Sequence, residues 1–169
     1  MFKYASVPKF TVMGTYCINV SLTDIEWHLN RYINSHDMKM NPDFQRGHVW
    51  TEDQQIKFVE FLLSGGYSGQ DVYFNMKGWQ GNYDGPMVLV DGLQRLTAAQ
   101  RFVNNEIKVY GHYFREYDQI PDQVGFKFHI NALETRKEVL TWYIQLNEGG
   151  VVHTEEELNR VKKLREEAE

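Results

Sequence analysis

The sequence predicts a single α+β domain in which a small mixed sheet carries flanking helices and a helical C-terminal segment. Three observations support this. The chain has 169 residues, and one domain takes roughly 100–200. Short β-branched and aromatic runs mix with amphipathic segments at helical spacing, without the strict alternation of a doubly wound sheet. Three capping boxes, Thr51–Gln54, Thr135–Glu138 and Thr154–Glu157, mark helix starts.

In chain order, Phe10 to Val20 reads as one or two strands around Gly14. Ser21 is a helix N-cap with Asp24 in the first turn, and Leu22, Ile25, Leu29, Tyr32 and Ile33 follow at helical spacing. His36 to Asp43 is a polar loop ending in Asn-Pro-Asp. The helix opened by Thr51 buries Ile56, Val59, Leu62 and Leu63 and stops at Gly65-Gly66. Asp71–Asn75 and Pro86–Val90 read as strands around a Gly-rich loop that carries Trp79 and Tyr83. Leu93–Val103 is a helix, with strands expected at Ile107–Tyr110 and Phe126–Ile130. Thr135 opens a helix that ends near Asn147-Glu-Gly-Gly150. Residues 1–153 form the main unit. Residues 154–169 form a charged helix with six acids and four bases, in which only Leu158, Val161 and Leu164 are apolar enough to pack. This helix reads either as a solvated face or as a junction to a partner or a missing segment.

Composition narrows the function classes. The net charge of −5 disfavours nonspecific nucleic-acid binding, which needs a basic surface. Cys17 is the only cysteine, so an intrachain disulfide and a cysteine zinc cluster are excluded; its strand context predicts a buried, inert thiol. No apolar run approaches the ~18 residues of a membrane span, and no signal peptide is visible. The expected setting is the cytoplasm of a bacterium or phage-infected cell, with no membrane contact. The six histidines lack the paired spacing of a zinc site.

The richest chemistry lies in Val88-Leu-Val-Asp91-Gly92-Leu93-Gln94-Arg95-Leu96-Thr97. Here a strand ends, Gly92 turns the chain and a helix begins. That junction presents free N–H groups and the positive end of a helix dipole, which together favour a phosphate. Arg95 can add a planar fork to phosphate oxygens. Asp91 can hold Mg²⁺, orient a water or fix an arginine. The plainer reading has Asp91 capping the helix and pairing with Arg95 or Arg101. A second Gln-Arg pair, Gln45-Arg46, lies in the loop Asn41–Trp50, close to His48. Two arginines converging on one pocket would clamp a polyphosphate; alternatively, Arg46 stacks on Trp50 or bonds a carbonyl. Trp79 and Tyr83 fit either base stacking or the pinning of a loop over the core.

Three motifs in order then resemble one family: Pro42-Asp-Phe-Gln45-Arg46-x-x-Val49-Trp50, Val90-Asp91-Gly92-x-Gln94-Arg95-Leu96-Thr97 and Leu146-Asn147-x-Gly149-Gly150. The chain resembles the ParB-like N-terminal domain of GmrSD-type type IV restriction enzymes over about residues 15–160. The resemblance implies a ParB/sulfiredoxin-like fold and NTP binding, with hydrolysis left open, linked to restriction, phage defence or counter-defence. It implies that Asp91, Gln94 and Arg95 are the catalytic positions, and on the residue chemistry Asp91 is then expected to orient Mg²⁺ or the attacking water. Gln45, Arg46, Gly92, Arg95, Thr97 and Asn147 would bind the nucleotide. Leu93 stands where the family motif has its first glutamine, and no His-Asn-His nuclease domain is present. Two alternatives stay open, a DNA-binding or DNA-nicking ParB-like module and a non-catalytic interaction protein that keeps the fold. Expected partners are a nucleoside triphosphate, DNA and a protein effector.

Overall fold

A computed structural model describes residues 3–6, 16–79, 81–148 and 155–168. The expected strand portion 10–15, the glycines 149–150 and the cap at Thr154 lie outside the described residues. Among the described residues, four strands form one mixed sheet: β1 (Tyr16–Ser21), β2 (Asp71–Asn75), β3 (Val88–Asp91) and β4 (Gly125–Asn131). Their spatial order is β1-β4-β2-β3, with β4 and β2 parallel and the outer pairs antiparallel. Five α-helices among the described residues accompany them: α1 (Ile25–His36), α2 (Glu52–Leu63), α3 (Leu93–Val103), α4 (Arg136–Glu148) and α5 (Glu155–Glu167). The α+β class expected from the sequence is what the structure shows.

Alternation along each strand divides the core in two, because successive side chains point to opposite faces. Val72, Phe74, Leu89, Phe126, Phe128 and Ile130 bury one face against Ile25, Leu29 and Tyr32 of α1, Val59 and Leu62 of α2, and Leu96, Ala99 and Phe102 of α3. On the other face Val90 joins Phe44, Leu140, Tyr143 and Ile144 in a second cluster under α4. Val161 of α5 is 1% exposed in that second cluster, with Leu164 and Ala168 packed against it. The charged C-terminal helix is therefore docked on α4 through the apolar stripe its sequence offers.

Local signals explain the helix starts. Ser21 accepts from the Asp24 N–H, but the turn it opens, Leu22–Asp24, is 3-10 before α1 begins at Ile25. Thr51 and Gln54 form a reciprocal capping box at α2, and Thr135 and Glu138 do the same at α4. Asp37 ends α1 in the left-handed region at φ 46°, a stop that no glycine signals.

Two strand expectations need correction. Ile107–Tyr110 is not a strand. Val109 makes an isolated bridge to His112 across a tight turn in which Tyr110 and Gly111 have φ of 48° and 79°. Ile107 and Val109 alternate because both are buried in the first core cluster, and that alternation produced the strand pattern. Pro86 and Met87 precede β3, which starts at Val88 and runs through Asp91. β3 is an edge strand, and its outer side is met by Lys39, whose backbone accepts from Leu89 N–H and donates to Met87. Covering an edge in this way denies it to other chains.

Gly92 joins β3 to α3 at φ 115°, and a Cβ there would lie 2.9 Å from a Val72 methyl. Gly85, at φ 88°, has open space around it. Gly92→Ala is expected to cost roughly 2–4 kcal/mol, because strain and crowding add, against about 1–2 kcal/mol for Gly85→Ala. Urea unfolding of the two variants side by side measures the difference, and equal losses would mean that Val72 gives way.

Candidate functional site

The β3–α3 junction holds the residues that the sequence nominated, and each has a definite partner. Asp91 ends β3 opposite Tyr73. Gly92, and not Asp91, occupies the N-cap position of α3, which has no side-chain cap bond. Asp91 instead pairs with Arg95, whose guanidinium donates to Asp91 Oδ2 at 2.5 Å. The other arm of Arg95 donates to the carbonyls of Gly69 (2.9 Å) and Asp71 (2.6 Å). Arg95 thus bridges α3 to the segment that leads into β2, with its charge balanced by Asp91.

Gln94 turns the other way. It is 9% exposed; its Oε1 accepts from the Val49 and Trp50 N–H groups and its Nε2 donates to Gly47 O. Gln45 reciprocates by donating to the carbonyls of Leu89 and Val90. The two motifs that looked related in sequence therefore meet in space, glutamine to backbone in both directions. Arg46 lies 3.9 Å from Glu157 of α5. Arg160 of α5 donates to the carbonyls of Asp43, Phe44 and Gln45.

Thr97 lies one turn further along α3 and its hydroxyl donates to Leu93 O. Asn147, on α4, donates to Tyr143 O. Leu93, where the resemblance expected a polar group, is 8% exposed in the first core cluster. This position faces the core, and the leucine takes no polar group away from the junction. His48 is exposed on its loop.

Tyr143 marks where these groups converge. Burial pushes its hydroxyl up to about 12, with Arg46 opposing and Asp91 and Glu157 adding to the rise. Arg46, Asp91 and α5 thus act electrostatically on one buried phenol. The register adds a row that sequence reasoning missed, running Cys17, His129, Tyr73, Asp91 across β1, β4, β2 and β3. His129 stacks on Tyr73 with ring centroids 4.9 Å apart, and its Nε2 is 2.6 Å from Asp71 Oδ1. Trp142 of α4 meets Tyr73 edge-on. Cys17 is exposed, against the expectation of a buried thiol. Asp71 and Tyr73 share a face by alternation, which was legible in sequence; their nearness to His129, 58 residues away, was not.

Among the described residues, no group of three or more His, Cys, Asp or Glu is placed to hold a metal. Among the same residues, no helix is long and apolar enough to cross a membrane. Gln94→Ala is expected to leave three backbone groups of the 47–50 loop without partners, costing about 1–3 kcal/mol. Amide hydrogen exchange at Val49 and Trp50 should accelerate selectively. Leu93→Gln should also destabilise, because a buried amide without a partner costs about 1–3 kcal/mol; a neutral effect in thermal unfolding would mean that position 93 faces the site.

No curated protein and no solved structure gives a significant match to the chain. One family model matches, that of the N-terminal domain of the GmrSD restriction endonuclease, over residues 29–129. The matched span runs from α1 to β4 and includes both Gln-Arg motifs and the glutamine contacts between them. The chain belongs to the GmrSD restriction endonuclease N-terminal domain family, which places it in a restriction context.

Proposed function

We propose that the β3–α3 junction binds the phosphates of a nucleoside triphosphate and that the domain uses this to gate a restriction or phage-defence activity carried elsewhere. The observation that supports this best is the joint placement of a glycine-opened helix N-terminus, the Asp91–Arg95 pair and the Gln45–Arg46 loop, held together by Gln94. The N–H groups of Leu93, Gln94 and Arg95 lie in the first turn of α3, where no intrahelical acceptor is available. Gly92 carries no Cβ, so a ligand can approach its backbone.

In this reading Arg46 and the α3 dipole neutralise phosphate oxygens while Arg95, fixed by two carbonyls, orients Asp91. The Asp91 side chain is 34% exposed and only its Oδ2 is engaged by Arg95, so one carboxylate oxygen remains for a cation or a water. A single carboxylate suits Mg²⁺, which takes most of its remaining ligands from waters and substrate phosphates. When bound, Mg²⁺ would neutralise charge on the phosphate oxygens. Asp91 would hold it, and Gln94 would act by keeping the 47–50 loop in place. In the alternative use of that one oxygen, Asp91 would orient the attacking water for hydrolysis.

A second reading, a scaffold that keeps the fold without turnover, draws on the internal partners of the motif. Gln45, Gln94 and Arg95 all spend hydrogen bonds on this chain's own backbone. Calorimetric titration with ATP, GTP and CTP, each with Mg²⁺, separates the two. Arg46→Ala should weaken triphosphate binding by roughly tenfold or more, the scale of a lost charge-assisted hydrogen bond. Asp91→Asn should spare binding in the absence of Mg²⁺ and lower turnover, measured with and without DNA. Absence of binding by all three nucleotides would favour the scaffold.

A further inference from the structure

A cleft lies on the opposite face of the sheet from Asp91 and at the other end of β2. It has a volume of about 720 Å³, opens to solvent, and is bordered by β1, α1 and the loop that carries Trp79 and Tyr83. That is within the roughly 300–1,000 Å³ typical of small-molecule sites. We propose that this cleft binds a nucleotide unit, with the base among its aromatic rings and the phosphate at Arg31, independently of the β3–α3 junction.

The ring chemistry argues for a planar ligand. Tyr16 (42% exposed), Trp27 (59%) and Tyr83 (58%) are large hydrophobic side chains left open to solvent, and all three line this one cleft. Scattered exposed aromatics are ordinary, whereas convergent ones mark a binding surface. Trp79 lies at the centre of the ring cluster, with Tyr16, His36 and Tyr83 at centroid distances of 5.8, 5.5 and 5.6 Å, all in tilted or edge-on geometry. His36 Nδ1 is buried and has no hydrogen-bond partner. Its ring is held by aromatic neighbours and not by a polar bond, so a turn of the ring presents a nitrogen to an incoming base edge. Both readings of Trp79 and Tyr83 from the sequence thus have a place here. Trp79 packs against the core and Tyr83 stays open above His36 at 4.9 Å.

Charge argues for an anionic group on that ligand. The cleft's described lining includes Arg31, His28 and His36, and no carboxylate. Arg31 stands 5.5 Å from the Trp27 ring centroid, so an aromatic face and a guanidinium are presented together. Burial lowers His28, partly offset by Asp24, and burial together with the Arg31 charge lowers His36. Both imidazoles are thus neutral near pH 7, when they can stack and hydrogen-bond, and Arg31 supplies the fixed positive charge. A planar nitrogen heterocycle carrying phosphate matches all three features.

The test uses the intact chain and follows tryptophan fluorescence, since Trp27 and Trp79 both line the cleft. The probes are the four ribonucleoside monophosphates, the corresponding nucleosides, and short single-stranded oligonucleotides. Trp27→Ala and Tyr83→Ala remove exposed rings and should leave the fold intact. Each should weaken nucleotide binding by roughly tenfold, the scale of losing one stacking partner. Arg31→Ala should weaken binding of monophosphates but not of nucleosides, and Arg46→Ala should change neither. Binding of monophosphates with this pattern identifies a free nucleotide as the ligand, and binding of oligonucleotides alone identifies a nucleotide within a strand. No binding of either at millimolar concentration overturns the proposal, as does binding that responds only to Arg46→Ala. In that last case the triphosphate reading of the junction would survive.

Discussion

From Asn41 to Trp50 the chain has neither helix nor strand, so its backbone polar groups must find partners outside any ladder. Side chains supply most of them. Gln94 takes two N–H groups and one carbonyl, Arg160 takes three carbonyls, and Gln55 donates to Trp50 O. Gln45 fastens the loop to β3, while Phe44 anchors it in one core cluster and Trp50 packs on Phe58 beside the other. This loop joins the two layers around the edge strand. Without it, Gln94 and the Leu89 and Val90 carbonyls beside the β3–α3 turn would lose their partners.

The same hydrogen bonds explain why glutamine and arginine recur in the motif. Glutamine carries an acceptor and two donors on one short arm, so Gln94 satisfies N–H and carbonyl groups of one loop at once. The planar fork of Arg95 reaches two carbonyls and a carboxylate together. A half-buried network of this kind holds a fixed geometry and leaves limited freedom for its members to swing toward a ligand. Under the proposed function, phosphate contacts would therefore fall mainly to the α3 amides, the Arg46 guanidinium and the second carboxylate oxygen of Asp91.

The sheet separates two chemistries. Residues 71, 73, 129 and 91 place acid, phenol, imidazole and acid on one face, next to Arg95. On the other face, beyond the packed phenylalanines, the rings of α1 and the Trp79 loop line an aromatic cleft. Strand alternation makes such a division automatic: a four-stranded sheet has two faces, and a helical layer covers each only in part.

The sequence by itself determined the class, the helix starts at Thr51 and Thr135, the Leu93–Val103 helix and the Asp91-Gly92 turn. These are local, because a cap, a glycine at positive φ and an apolar stripe act over four or five residues. Alternation at Ile107 and Val109 misled, since burial without a pairing strand gives the same pattern as a strand. Tertiary structure alone decided that Gln94 reaches back to the 47–50 loop, that His129 lies against Tyr73 and Asp71, that Cys17 is exposed, and that Tyr16, Trp27 and Tyr83 share one cleft. Each of these depends on strand order and register, which arise from long-range pairing and leave no periodic trace in the chain.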